Sequence, residues 1–125
     1  MKNYQPRFVV TALVLTILAL FSPMLAAVTT YDVSVLNNRF SSNNLTIEVG
    51  DTVRWTNSTS THDVTADDGS FASERSNSFT FERTFNSIEE ILYHCTVHSS
   101  AGQNINSNMN GRLNVVEVGV STDVS

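Results

Sequence analysis

Ile91-Leu-Tyr-His-Cys-Thr-Val-His98 is the stretch that organises the reading of this 125-residue chain. Ile91, Tyr93 and Cys95 recur at a spacing of two, the period that sends alternate side chains to opposite faces of a β-strand. All three therefore face one way, inward, and His94 faces the other, toward solvent. The two residues after Cys95 are enough for the chain to turn and return His98 toward the thiol. Cys95 is the only cysteine, so no intrachain disulfide can form. A lone cysteine in a secreted chain means intermolecular pairing, a reactive thiol or a metal ligand, and a histidine three residues later favours the metal.

The same period of two extends in both directions. Tyr31, Val33 and Val35 alternate with polar residues, as do Leu45, Ile47 and Val49. Val53 and Trp55 follow a Gly50-Asp51 turn, and the pattern returns at Phe79, Phe81 and Phe85 and at Leu113 and Val115. Ser-, Asn-, Asp- and Gly-rich segments separate the runs. Beyond the N-terminal segment no stretch has an apolar stripe at helical spacing. Short alternating strands in this number predict an all-β antiparallel sandwich or Greek-key barrel of about seven or eight strands. In that pattern Trp55 and the phenylalanines are core residues.

The N-terminus reads as a targeting segment. Lys2 and Arg7 precede an apolar run over Phe8 to Phe21, and Met24-Leu-Ala-Ala27 supplies small residues. This arrangement matches a secretory signal peptide over residues 1–27, with cleavage after Ala27. An uncleaved anchor is the competing reading, but the run is short for a membrane span and Pro23 interrupts it. Residues 28–125 then form one domain, too short for two cores. The whole chain carries a formal charge of −5; loss of Lys2 and Arg7 leaves five arginines against twelve carboxylates, a net charge of about −7. That balance argues against nucleic-acid binding, which needs cationic surface, and favours a basic protein partner.

A thiolate, two imidazoles and a thioether form the ligand set of a trigonal His2Cys copper site with a weak axial methionine. His62, Cys95, His98 and Met109 supply those four groups. His62 follows the polar turn Asn57 to Thr61 and opens an expected strand, His62-Asp-Val-Thr-Ala66, while Met109 stands where the last strand begins.

Several runs together resemble the plastocyanin and pseudoazurin branch of the cupredoxins. They are Val49-Gly-Asp-Thr-Val-Arg-Trp-Thr-Asn57, His62-Asp-Val-Thr-Ala-Asp-Asp-Gly-Ser-Phe71, Tyr93-His-Cys-Thr-Val-His98 and Met109-Asn-Gly-Arg-Leu-Asn-Val115. The resemblance spans about Asn44 to Glu117. It implies a copper-binding Greek-key sandwich that shuttles single electrons, with His62, Cys95, His98 and Met109 on the family's ligand positions and one copper per chain. Three features depart from the family. Ten residues, Ser99 to Asn108, separate His98 from Met109, and within them Gln103 offers an amide oxygen as a rival axial ligand. Asp63 replaces the asparagine that follows the first histidine and braces the cysteine loop. Glu89 stands where the family often turns on glycine.

These readings define a periplasmic or secreted mononuclear blue copper protein, monomeric, exchanging electrons with basic, cytochrome-like redox proteins. The competing binding-class reading is copper storage or delivery on the same fold. A copper enzyme would need an open coordination position or a second metal; once four ligands are assigned only His94 remains, and a single cysteine cannot build a dithiolate-bridged pair. The chain is therefore expected not to be an enzyme. His94 is expected to be a solvent-facing residue or an electron stepping stone, and Asp67-Asp68 and Glu89-Glu90 to be solvated surface or a docking patch.

Overall fold

The computed structural model describes residues 1–5 and 26–119. The apolar run assigned to a signal peptide lies outside these residues. Eight strands make up the domain: β1 (Thr30–Leu36), β2 (Arg39–Phe40), β3 (Asn44–Glu48), β4 (Thr52–Asn57), β5 (Thr65–Ala66), β6 (Phe79–Thr84), β7 (Glu89–His94) and β8 (Asn110–Val116). They form two four-stranded sheets, ordered β2-β1-β4-β6 and β3-β8-β7-β5. There is no helix among the described residues.

The expected all-β sandwich and its strand number are borne out. Purely antiparallel pairing is not: β1 runs parallel to β4 and β3 runs parallel to β8. Parallel neighbours need a crossover between them. The chain supplies it after β2, where it leaves the first sheet and starts β3 in the second.

The alternating residues meet between the sheets. Val33, Val35, Ile47, Val53, Trp55, Ile91, Tyr93, Leu113 and Val115 are all buried. Trp55 sits at the centre, edge-on to Tyr93 with ring centroids 5.5 Å apart and tilted against Phe71 and Phe81 at 5.8 Å each. Burial pushes the Tyr93 hydroxyl up to about 12.

The Gly-Asp turn before β4 has a specific construction. Gly50 adopts φ +98°, a conformation costly for residues with a Cβ. Asp51, buried beside it, accepts the Thr29 and Glu48 backbone N–H groups at 2.8 Å each. That carboxylate ties the start of β1 to the end of β3, closing the pole of the sandwich remote from Cys95.

The Met-Asn-Gly sequence closes the other pole. Tyr93 pairs with Gly111 across β7 and β8, and the Tyr93 ring occupies the space a Cβ at position 111 would need. Gly111 lets the aromatic lie flat against the neighbouring strand, and Met109 follows two residues nearer the chain start.

Candidate metal centre

Cys95 is the first residue past β7. Its N–H donates to the Met109 carbonyl at 3.0 Å, continuing the β7–β8 ladder by one step. Its own carbonyl accepts from His98 N–H at 3.2 Å and Ser99 N–H at 2.9 Å, so the chain makes a single helix-like turn. That turn brings His98 back over the thiol, as the two-residue gap predicts. His62 arrives from the opposite side. The predicted strand from His62 to Ala66 is only Thr65–Ala66; His62 instead forms an isolated bridge with Ser76, with reciprocal backbone hydrogen bonds of 3.1 and 3.0 Å. Asn57 fixes the approach, donating to the Ser60 and Ser76 carbonyls at 2.8 Å each.

The side chains converge. Cys95 Sγ lies 3.6 Å from His62 Nδ1 and 3.6 Å from His98 Nδ1, and the three ligand atoms all fall within 4.8 Å of one another. An ion about 2.3 Å from sulfur and about 2.0 Å from nitrogen separates those two atoms by roughly 3.5–3.7 Å at angles between tetrahedral and trigonal. The donor set and its spacing thus fit one soft or borderline ion, and His62, Cys95 and His98 form a candidate copper site.

The surroundings of two of the donors set their protonation. The Ser60 hydroxyl donates to Asn37 Oδ1 at 3.3 Å, so Ser60 Oγ accepts from His62 Nε2–H at 2.9 Å. This leaves His62 Nδ1 with its lone pair toward the sulfur. Burial, and then the neighbouring His98, hold the His62 pKa below the ordinary imidazole value. Burial pushes the Cys95 thiol up, so without metal the thiol keeps its proton and binding a metal displaces it. His62 and Cys95 are buried and His98 is exposed.

The candidates for an axial ligand separate cleanly by burial. Met109 is fully buried and, lying opposite Cys95 in the ladder, projects its side chain to the same face. Gln103 is exposed. The segment between His98 and Met109 is tied down at four residues: Gly102 N–H to Asp67 Oδ2 (2.7 Å), Asn43 Nδ2 to the Ile105 carbonyl (2.7 Å), and Asn110 Nδ2 to Ser99 Oγ and the Ser107 carbonyl (2.8 and 2.6 Å). Asn108, at φ 52°, turns the chain back into β8.

Two outward-facing features have other roles than expected. His94 is buried, not solvent-facing, and its Nδ1 lies 2.6 Å from Asp67 Oδ1. The ring points away from the core as the alternation requires, but the Asp67 segment and the ligand loop cover that side. Asp67 therefore belongs to an internal clasp rather than to free acidic surface. Glu89 and Glu90 are exposed at the opposite end of β7, roughly 20 Å from Cys95 at strand rise, so they do not border His98. Asp68 remains exposed and accepts the Ser70 N–H at 2.8 Å.

Asp63 does what the family's asparagine is expected to do. Its Oδ1 accepts the Thr96 N–H at 2.6 Å and its Oδ2 the Thr96 hydroxyl at 2.5 Å, clamping the cysteine loop. Ser60, Thr96 and Arg75 support the site without any prior signal, because the sequence carries no mark of which polar loop residues meet in space.

The chain is thus a two-sheet β-sandwich with a candidate His2Cys site for a single metal ion at one pole. No protein-family model and no curated protein sequence matches this chain. Solved structures do resemble it: the fold is the cupredoxin fold. A purple cupredoxin from Nitrosopumilus maritimus is 22% identical, over 69% of this chain and 99% of that one, with a TM-score of 0.55. A pseudoazurin from Sinorhizobium meliltoi is 20% identical over 71% of this chain and 75% of that one, TM-score 0.55. A copper-containing nitrite reductase from Thermus scotoductus SA-01 is 22% identical over 70% of this chain, which spans only 22% of that longer protein, TM-score 0.57.

Proposed function

We propose that this protein is a mononuclear blue copper protein that carries single electrons between redox partners; His62, Cys95 and His98 would hold the copper, with Met109 as a weaker fourth ligand. Copper, when bound, supplies the one-electron Cu(I)/Cu(II) couple. The observation that carries the reading is the pair of 3.6 Å approaches of two imidazole Nδ1 atoms to a single buried thiol.

The protein's own residues have three tasks. His62, oriented by Ser60, and Cys95, held between β7 and β8, give the ion a fixed and dry pocket that needs little rearrangement when the charge changes. Met109 excludes water from the buried side. His98 is the exposed ligand and the shortest route for an electron between the centre and a docked partner. Electrons would enter and leave by the exposed edge of His98, with no change in the ligand set.

The same reading assigns residues 1–27 to a signal peptide cleaved after Ala27, and the mature domain to the periplasm or the outside of the cell as a non-enzymatic monomer. Its acidic balance suits basic, cytochrome-like partners.

Stopped-flow mixing of copper-loaded protein with a one-electron reductant, then with an oxidant, tests the function. Complete, reversible cycling of one electron per copper on the millisecond scale supports it. Copper that binds but exchanges electrons only over minutes replaces this function with storage or delivery.

A further inference from the structure

Among the described residues, three arginines besides Arg75 are accounted for at the surface: Arg54 bridges Asp32 and Glu82, Arg112 lies beside Glu90, and Arg83 stacks over Phe71 and Phe85. Arg75 is different because it reaches the cysteine loop. Its Nε lies 3.7 Å from Asp63 Oδ2, and its Nη2 donates a short hydrogen bond to Thr96 Oγ1.

A guanidinium only donates, so Thr96 Oγ1 is the acceptor from Arg75. The hydroxyl proton of Thr96 then points to Asp63 Oδ2, while the Thr96 N–H points to Oδ1. Asp63 is an acceptor at both oxygens, as a carboxylate is. It is a buried negative charge, adjacent in sequence to His62 and bonded to the residue after Cys95, and Arg75 is its only cationic partner among the described residues.

We propose that Arg75 is a positioning residue for the metal: acting through Asp63 and Thr96, it locks the cysteine loop and offsets the Asp63 charge, and so raises the reduction potential above what Asp63 would otherwise impose. A carboxylate near the centre favours the more positive oxidised metal and lowers the potential; the guanidinium opposes that effect. The arrangement takes the place of a neutral asparagine with an ion pair whose cationic half lies at the surface, the Arg75 side chain being 58% exposed. Because Arg75 lies outside the core, its replacement is expected to leave the fold intact.

This inference rests on the copper reading for its redox consequence, but the brace itself needs no metal. In the metal-free protein, amide exchange at Thr96 should speed up about tenfold in R75Q, the loss expected when a charge-assisted hydrogen bond is removed, and R75K, which keeps the charge but not the fork, should restore it only in part. In copper-loaded protein, R75Q should lower the potential and D63N should raise it. The R75Q shift should largely disappear in the D63N background, since it acts through Asp63. Unchanged Thr96 exchange in R75Q removes the brace. An unchanged potential, or an R75Q shift of equal size with and without Asp63, overturns the tuning role. Loss of Thr96 protection in a protein that takes up no copper upholds the brace and rejects the electron-carrier reading instead.

Discussion

Replacing Gly111 by alanine should be among the most damaging single-methyl additions to this domain. A Cβ at position 111 falls 2.6 Å from Tyr93 Cε1 and nearer still to the ring's Cζ and hydroxyl oxygen, so the ring must move by about 1 Å to reach ordinary contact. It has nowhere to go. Tyr93 is 1% exposed and wedged between Trp55 and Phe40, with ring centroids at 5.5 and 4.9 Å. Overpacking of this kind costs about 1–3 kcal/mol, and disturbing two aromatic contacts adds about 0.5–1.5 kcal/mol each. A total of about 3 kcal/mol lowers the melting temperature of a domain this size by roughly 12–24 °C. Gly50→Ala is the control: nothing lies within 4 Å of its added Cβ, but φ is +98°, a conformational cost of about 1–2 kcal/mol. Thermal unfolding followed by circular dichroism ranks the two. A G111A variant as stable as the parent, or more stable than G50A, refutes the packing argument. Since Tyr93 and Gly111 stand two residues from Cys95 and Met109, G111A should also weaken metal binding.

Met109→Leu should keep the intense colour of a copper-loaded site and shift its potential upward, whereas Gln103→Ala should change neither, because Met109 is buried and Gln103 exposed; voltammetry and visible spectra of both decide, and the opposite ranking moves the axial role to Gln103. The metal-free protein should lose stability as pH falls from about 7.5 to 5.5: His62 titrates below its ordinary 6.5 when folded, so in that window the unfolded chain holds more protons. His62→Gln should flatten this limb of a urea-stability profile, and an unaltered slope discounts the burial of His62. Above about pH 9 the raised Cys95 thiol acts in the other sense, as the unfolded chain loses a proton that the folded one keeps. Electron transfer to a basic cytochrome should slow as salt is raised, since exposed charges are screened over about 8 Å at physiological ionic strength; a flat or rising rate removes electrostatic steering.

The period of two was sufficient to locate the strands because it reports burial directly. Val33, Val35, Val53, Trp55, Ile91 and Tyr93 all face the core as the alternation requires. The same signal is silent on strand direction: parallel β1–β4 pairing depends on where the chain crosses between sheets, which no local pattern encodes. The His62–Cys95–His98 cluster was legible because ligand chemistry restricts residue types so sharply. Its supports were not. Asp63 reads as a departure, yet it still clamps Thr96. His94 reads as solvent-facing, yet Asp67 and the ligand loop enclose it. In both cases the decisive partner is a polar loop residue tens of positions away, and periodicity carries no information about such contacts.

The central claim is that Cys95, with His62 and His98, holds one copper ion as a thiolate complex. Titration of the purified protein with Cu(II), followed by visible absorption, tests it most directly. An intense thiolate-to-copper charge-transfer band should grow, saturate at one copper per chain and be absent in Cys95→Ala. A colourless Cu(II) complex of the unaltered protein, or a band that survives the loss of Cys95, contradicts it.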